Sequence, residues 1–224
     1  MQTQSSSNQF EGQCRYCQQT ISKRQSLSHG DKCPSKPLTD IPWFRLRITS
    51  QIWKNFRLII EASESATFQS LDTLLRKLRL ECCDHFSQFG DWGGKEFGKS
   101  GKILHAFQGT WTKKITYIYD FRSETRLDIE FVKMIDNVPA WKVNCLLVAR
   151  NHFPDLYCRC NTWEVKYFCR ACISQYQGKS SFYCTQCALT HPDKGNHDLM
   201  EVSNSPRMGV CYYEQEYPLD VLFP

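Results

Sequence analysis

The sequence predicts an α+β fold: a central, largely antiparallel sheet with one main helix, and a small metal-held segment at each end. Three observations predict it. Near the C-terminus Cys158, Cys160, Cys169, Cys172, Cys184, Cys187, His191 and His197 run as C-x-C-x8-C-x2-C-x11-C-x2-C-x3-H-x5-H, enough thiolate and imidazole for two tetrahedral zinc sites. Near the N-terminus Cys14, Cys17, His29 and Cys33 make a third donor set. Between them, roughly 110 residues read as strand, strand, helix and then more strands, long enough to bury a core of their own.

The 224 residues carry 13 cysteines and a formal charge of +5. An odd count, with most cysteines at knuckle spacing, fits a reduced, metal-binding cytoplasmic protein better than a disulfide framework. The opening MQTQSSSNQF has neither a basic region nor an apolar run, so no secretory signal is expected and residues 1–10 read as a disordered tail. No stretch is long and apolar enough for a transmembrane helix. The positive charge is concentrated in residues 41–118, with 12 basic and 7 acidic groups, whereas residues 151–224 hold 6 and 8. A polyanion surface is therefore sought in the middle of the chain.

Residues 11–36 form the first unit, C-x2-C-x11-H-x3-C. A knuckle presents two thiolates, and a short helix offers His29 and Cys33 one turn apart. The pattern resembles a two-Cys/two-His zinc finger whose last His is Cys, with Gly30 weakening the helix. Lys23 and Arg24 are its only candidate phosphate contacts, and they read equally as a solvated face. Prolines 34 and 37 end the unit, and residues 35–42 read as a linker.

Residues 43–151 form the α+β domain. Phe44–Thr49 alternates apolar and polar residues like a half-buried strand, and Asn55–Ser63 reads as a second strand. Ser70 is placed to cap a helix whose Leu71, Leu74, Leu75 and Leu78 make one apolar stripe. Asp72 and Arg76 stand at ion-pair spacing on the other side. Glycine-rich Gly90–Gly101 reads as a flexible loop. Lys114–Phe121 and Arg126–Val132 read as a hairpin, and Asn144–Asn151 as a last buried strand.

Residues 152–202 hold the two-zinc module. Its ligands can be grouped in sequence or interleaved. Thr162–Phe168 reads as one strand spanning about 23 Å, too far for one ion to collect ligands from both ends. That favours Cys158, Cys160, Cys184 and Cys187 on one ion, with Cys169, Cys172, His191 and His197 on the other. The spacing of Cys187 and His191 speaks the other way. The interleaved order resembles B-box and related cross-brace modules. Full coordination leaves no open position for substrate, so zinc, up to three ions, reads as structural. Residues 203–224 read as a C-terminal tail packing on the core.

Leu80–Phe89 (LECCDHFSQF), Tyr117–Ile129 (YIYDFRSETRLDI), Leu146–Asn151 (LLVARN), the cysteine-rich tail and Ser203–Tyr213 (SNSPRMGVCYY) together resemble the plasmid pRiA4b ORF-3-like family, related to TnpR-like passenger proteins of insertion elements. The resemblance covers residues 43–213. It implies a plasmid or mobile-element context, an α+β core and an uncharacterised function. Arg122, Glu124 and Arg126 stand where the family has Gly, Thr and Glu, so a turn needing positive φ at residue 122 is not expected.

No catalytic residue is assigned. His85 beside Cys82 and Cys83 reads as helix-to-strand packing that buries Cys83 and Phe86. Asp128 and Glu130 share a strand face that alternation denies to Lys133, and with Asp120 they read as solvated acids. Ser123 reads as a turn residue, and Arg207 as a clamp for the tail or a carboxylate ligand. The first functional reading is a non-enzymatic zinc protein binding DNA or RNA through the basic middle, with Arg76, Lys77 and Arg79 as contacts. The second is a protein-interaction adaptor acting through the zinc modules. The third is a metal-dependent nuclease or recombinase.

Overall fold

The computed structural model describes residues 11–22, 24–35, 42–53, 56–80, 82–109, 113–136, 143–151, 156–161, 165–172, 181–191, 199–211 and 213. The chain divides into two compact units, residues 1–152 with 222–224, and residues 153–221. The expected disordered tail (1–10), most of the expected linker, His197 and the end of the C-terminal tail lie outside the described residues.

In the first unit β1 (Glu11–Gln13) and β2 (Thr20–Ser22) form a hairpin followed by α1 (Gln25–Lys32), with Cys33 at its C-cap. The central sheet is built from β3 (Trp43–Ser50), β4 (Arg57–Ser63), β5 (Ser87–Gly90), β6 (Glu96–Phe97), β7 (Lys114–Tyr119), β8 (Thr125–Ile135) and β9 (Cys145–Arg150). Its order is β6-β5-β7-β8-β3-β4-β9, and every described pairing is antiparallel.

One face of this sheet packs under α2 (Phe68–Leu75) and α3 (Ile103–Gln108), burying Phe44, Leu46, Ile48, Leu58, Ile60 and Leu127 against Leu71, Leu75, Ile103 and Phe107. The sequence pattern finds the first helix and misses the second. Six residues of α3 are too few to display a helical period, although Ile103, Leu104, Ala106 and Phe107 are all buried. The helix cap also differs from expectation. Thr67 is the N-cap, and Ser70 is its N3 partner in a reciprocal capping box. After Leu75 the chain passes into a π-turn, Arg76–Leu80, which keeps Leu78 and Leu80 buried while shifting the register of the residues beyond it.

The glycine-rich segment is a hairpin rather than a loose loop. Phe89 pairs with Phe97, the Asp91 carboxylate accepts the Gly93 and Lys95 amides, and the carbonyls of Lys99 and Gly101 accept the Gln69 and Phe68 amides. Phe97 stacks on Phe68 at 5.3 Å.

The other face is covered by the N-terminal hairpin and helix. Cys14, Ile21 and Cys33 are buried with Trp43, Ile59, Leu146 and Val148. The Arg15 amide donates to the Val148 carbonyl at 3.0 Å, and Gly12 bridges to Asn151. A Cβ on Gly12 would lie 2.1 Å from the Arg150 carbonyl oxygen. Gly12→Ala should therefore pry β1 off the sheet edge and destabilise the unit by about 1–3 kcal/mol, read as a lower denaturant midpoint.

A charged network pins this cover. Arg45 and Glu61, both fully buried, pair at 2.6 Å. Arg45 also donates to the Leu27 carbonyl of α1, and the Tyr16 hydroxyl donates to Glu61 at 2.8 Å. Burial and the neighbouring Glu61 carboxylate hold the Tyr16 phenol far above its ordinary pKa.

In the second unit β11 (Phe182–Tyr183), β10 (Tyr167–Cys169) and β12 (Leu199–Glu201) form an antiparallel sheet in that order, with α4 (Thr185–Leu189) following β11. Residues 203–211 belong to this unit. Gly209 has φ +80°, and a Cβ there would meet the Phe168 ring at 2.6 Å. Both conditions require glycine.

Candidate metal centres

All thirteen cysteines are reduced thiols. In the first unit Cys14, Cys17, His29 and Cys33 bring their ligand atoms within 4.8 Å of one another. Cys14 and Cys33 Sγ are 3.8 Å apart, which matches the edge of a tetrahedron with Zn–S near ~2.3 Å. Cys17 Sγ lies 3.2 Å from His29 Nε2. The knuckle is closed by Gln18 in the left-handed region, φ 60°, where its amide returns to the Cys14 carbonyl. Burial pushes the Cys14 thiol up to about 12, and a coordinated ion is what would ionise it.

In the second unit Cys158, Cys160, Cys184 and Cys187 converge in one cluster, and Cys169, Cys172 and His191 in another. The described donors cluster in the interleaved order, with His197 outside the described residues. Of the strand expected over Thr162–Phe168, β10 covers only Tyr167–Cys169, with Val165 and Lys166 outside it; residues 162–164 lie outside the described residues. The position of Cys187 follows from α4. Cys184 is its N-cap, its sulfur accepting the Cys187 amide at 3.5 Å. Hydrogen bonding with Cys158 and then Cys160 pushes the Cys187 thiol up to about 12. His191 instead turns to the other cluster, with Nε2 3.4 Å from Cys172 Sγ and its ring edge-on to Tyr183 at 4.8 Å. The Tyr183 hydroxyl donates to Cys172 Sγ at 3.4 Å. Donor type and spacing fit zinc in each cluster.

The residues expected to touch nucleic acid are placed differently from one another. Lys77 is exposed, and the Arg79 side chain lies outside the described residues. Arg76 is turned inward. It pairs with Asp72 at 3.0 Å, donates to the His85 carbonyl at 2.7 Å, reaches Asp84 at 3.2 Å and lies 5.1 Å over the Tyr119 ring.

Asp72 is buried and also pairs with Lys99 at 2.7 Å and accepts from Ser87 and Tyr117. Burial alone would raise its pKa, but hydrogen bonds from Lys99, Ser87 and Tyr117, with the Lys99 charge, outweigh that and hold it below its ordinary value. A depressed folded pKa contributes stability that is complete above the unfolded value and lost as pH falls through the folded one. The urea midpoint should therefore fall below about pH 4, and Asp72→Asn should flatten that acid limb.

Asp128 and Glu130 face the same side of the sheet, as expected. Lys114 lies 3.2 Å from each, and Arg47 pairs with Glu130. Lys133 is a correction. A bulge between the Arg45 and Leu46 pairings sets Lys133 opposite Arg45 and Glu130 opposite Arg47, so both share one face against simple alternation. Asp120 is elsewhere. It follows β7, four residues beyond Thr116, the partner of Asp128, which is about 13 Å along the strand. There it accepts the Arg122 and Ser123 amides. The left-handed residue of this turn is Asp120, φ 62°, not Arg122, so arginine is accommodated where the family pattern has glycine.

A further correction concerns the segment after the π-turn. Cys83 is exposed and Phe86 is 83% exposed, so neither is packed as expected. Arg207 is fully buried within the second unit, its guanidinium 3.5 Å from Cys211 Sγ.

No known family profile matches this sequence, and no curated protein matches it. Among solved structures, a protein of unknown function, MM3350 from Methanosarcina mazei Go1, is similar at 15% identity and TM-score 0.41, over 50% of this chain and 70% of that one. No helix among the described residues is long and apolar enough to cross a membrane.

Proposed function

We propose that this chain is a zinc-organised, non-catalytic binding protein of the pRiA4b ORF-3-like kind, from a plasmid or mobile-element setting, working in a reducing compartment such as the cytoplasm. The observation that carries it is closure of the ligand sets. Four donors converge at Cys14, Cys17, His29 and Cys33, and four more at Cys158, Cys160, Cys184 and Cys187. A tetrahedral ion held by four protein donors has no position left for water or substrate. His197 supplies the fourth donor beside Cys169, Cys172 and His191 in this reading. The first ion staples a cover onto the sheet instead of displaying a reading helix.

The ligand is a polyanion, DNA or RNA, met by exposed lysines of the basic middle. Lys77 is the contact among the three basic residues singled out from the sequence, and Arg76 is a brace. Binding should be weak and fall steeply with salt. Lys77→Ala should lower the slope of log affinity against log salt by about one, measured by fluorescence anisotropy on a duplex and on a single strand. Affinity that is flat from low to high salt would overturn the polyanion reading. A second reading, a protein adaptor, is favoured by Phe86 and Phe121, both exposed and near one another at one end of β5 and β7, where the Asp120 amide donates to the Phe86 carbonyl, since large exposed apolar side chains mark protein contacts when clustered. In that case Phe121→Ser would abolish partner capture and leave any nucleic-acid binding intact.

A further inference from the structure

We propose that Cys82, Cys83 and His85 form an additional zinc site in the first unit, separate from the zinc-finger cluster and outside every ligand set read from the sequence spacing. Their two sulfurs and one ring nitrogen lie within 4.8 Å of one another. Two thiolates and an imidazole are a zinc donor set, and zinc takes a further donor from outside this trio to complete its tetrahedron.

The backbone is shaped to bring these three together. The π-turn Arg76–Leu80 ends the helix, and Asp84 then adopts φ 53°. A non-glycine residue in the left-handed region is costly and persists where the surroundings demand it. Here it folds the chain so that adjacent thiols and the following histidine share one side. The Tyr119 hydroxyl accepts the Cys82 and His85 amides, at 3.4 and 3.2 Å. Arg76 clamps the same turn through the His85 carbonyl and the Asp84 carboxylate.

A carboxylate stands beside the His85 ring. His85 Nε2 lies 3.6 Å from Asp120 Oδ2, and Asp120 is buried and fixed by two backbone amides. A carboxylate on one ring nitrogen fixes the tautomer that offers the other to a metal. The bland alternative is a His85–Asp120 ion pair, but that pair accounts for neither of the two thiols beside it. Packing accounts for Cys82, which is half-buried against the core with its Sγ 3.9 Å from the Tyr119 hydroxyl, but not for Cys83, which is exposed beside it. Cys145 provides the contrast: it is buried in the core, and burial pushes its thiol up to about 12. Loading the site is Zn2+ plus two thiols giving a zinc dithiolate and two protons released to solvent.

Native mass spectrometry of the intact, zinc-loaded chain tests this. Cys82→Ser/Cys83→Ser should hold one zinc fewer than wild type, and Cys145→Ser the same number. In the wild type, exposed Cys83 should resist alkylation until a chelator is added, a measurement that needs no variant to fold. An unchanged ion count in the double variant, rapid alkylation of Cys83 in the loaded chain, or a mass two daltons low from a Cys82–Cys83 disulfide would each overturn the site. Complete absence of zinc from the wild type would instead sink the structural-zinc reading above, and variants at Cys14 or Cys158 separate the two failures.

Discussion

Chelating the metal should unfold residues 153–221 while the central sheet survives. Among the described residues of the second unit little else holds it together. Its described strands are three, two and three residues long, and its helix five. Elements this short are not stable alone, because an isolated helix needs roughly 12–15 residues and a small sheet needs an extensive apolar face. Among its described residues the buried apolar groups, such as Phe168, Tyr183 and Phe182, are few, and a core that small needs a metal or another cross-link. Binding energy at such a site is folding energy, on the order of 10–16 kcal/mol for a structural zinc near neutral pH. The central sheet of the first unit instead has seven paired strands and a core running from Phe44 to Leu147. Limited proteolysis with and without chelator should show cuts appearing throughout residues 153–221 while the sheet remains resistant. Equal resistance in both states would refute a structural role for those ions.

Glu61→Ala should be the most damaging single substitution in the first unit. It removes the carboxylate that pairs with the buried Arg45 guanidinium at 2.6 Å and takes from Tyr16 the acceptor of its hydroxyl. Removing one partner of a buried pair costs about 3–5 kcal/mol, which for a domain of this size lowers the melting temperature on the order of 10 °C. The loss should be cooperative with the finger, since Arg45 also holds the Leu27 carbonyl. Cys14 should therefore become accessible to alkylation in the same variant. Replacing both charges, Arg45→Met with Glu61→Leu, should cost far less, because no charge is then stranded. A thermal melt and a thiol titration of the three variants check this. A Glu61→Ala protein melting within about 2 °C of the parent would show that the network is not what fastens the cover.

Much of the architecture was legible before any fold was known. Alternation located β3, β7 and β8 to within a few residues, because β7, the first half of β8 and the second half of β3 bury one face more than the other. The leucine stripe located α2. Knuckle spacing picked out donors that converge in space, because two thiolates meant for one ion must be close in sequence or be brought close by a turn. What escaped was set by distant neighbours. Arg76 reads as a surface charge on a helical wheel, yet Asp72, Tyr119 and the loop after Leu80 draw it inward. The exposure of Phe86 could not be foreseen, because a π-turn shifts the register that an α-helical period would extrapolate.

The sequence by itself determined the donor chemistry, the apolar periodicities and the division into a metal-rich end and a sheet-forming middle. Those are local properties, carried by residue type and short spacing. Only the tertiary structure decided which cysteines cluster, that the N-terminal hairpin and helix are a cover over a buried Arg45–Glu61 pair, and that Cys82, Cys83 and His85 meet. Each of those depends on chain segments separated by a turn or by tens of residues. The energy of closing such contacts is settled by the packing of the whole unit, not by any window of the chain.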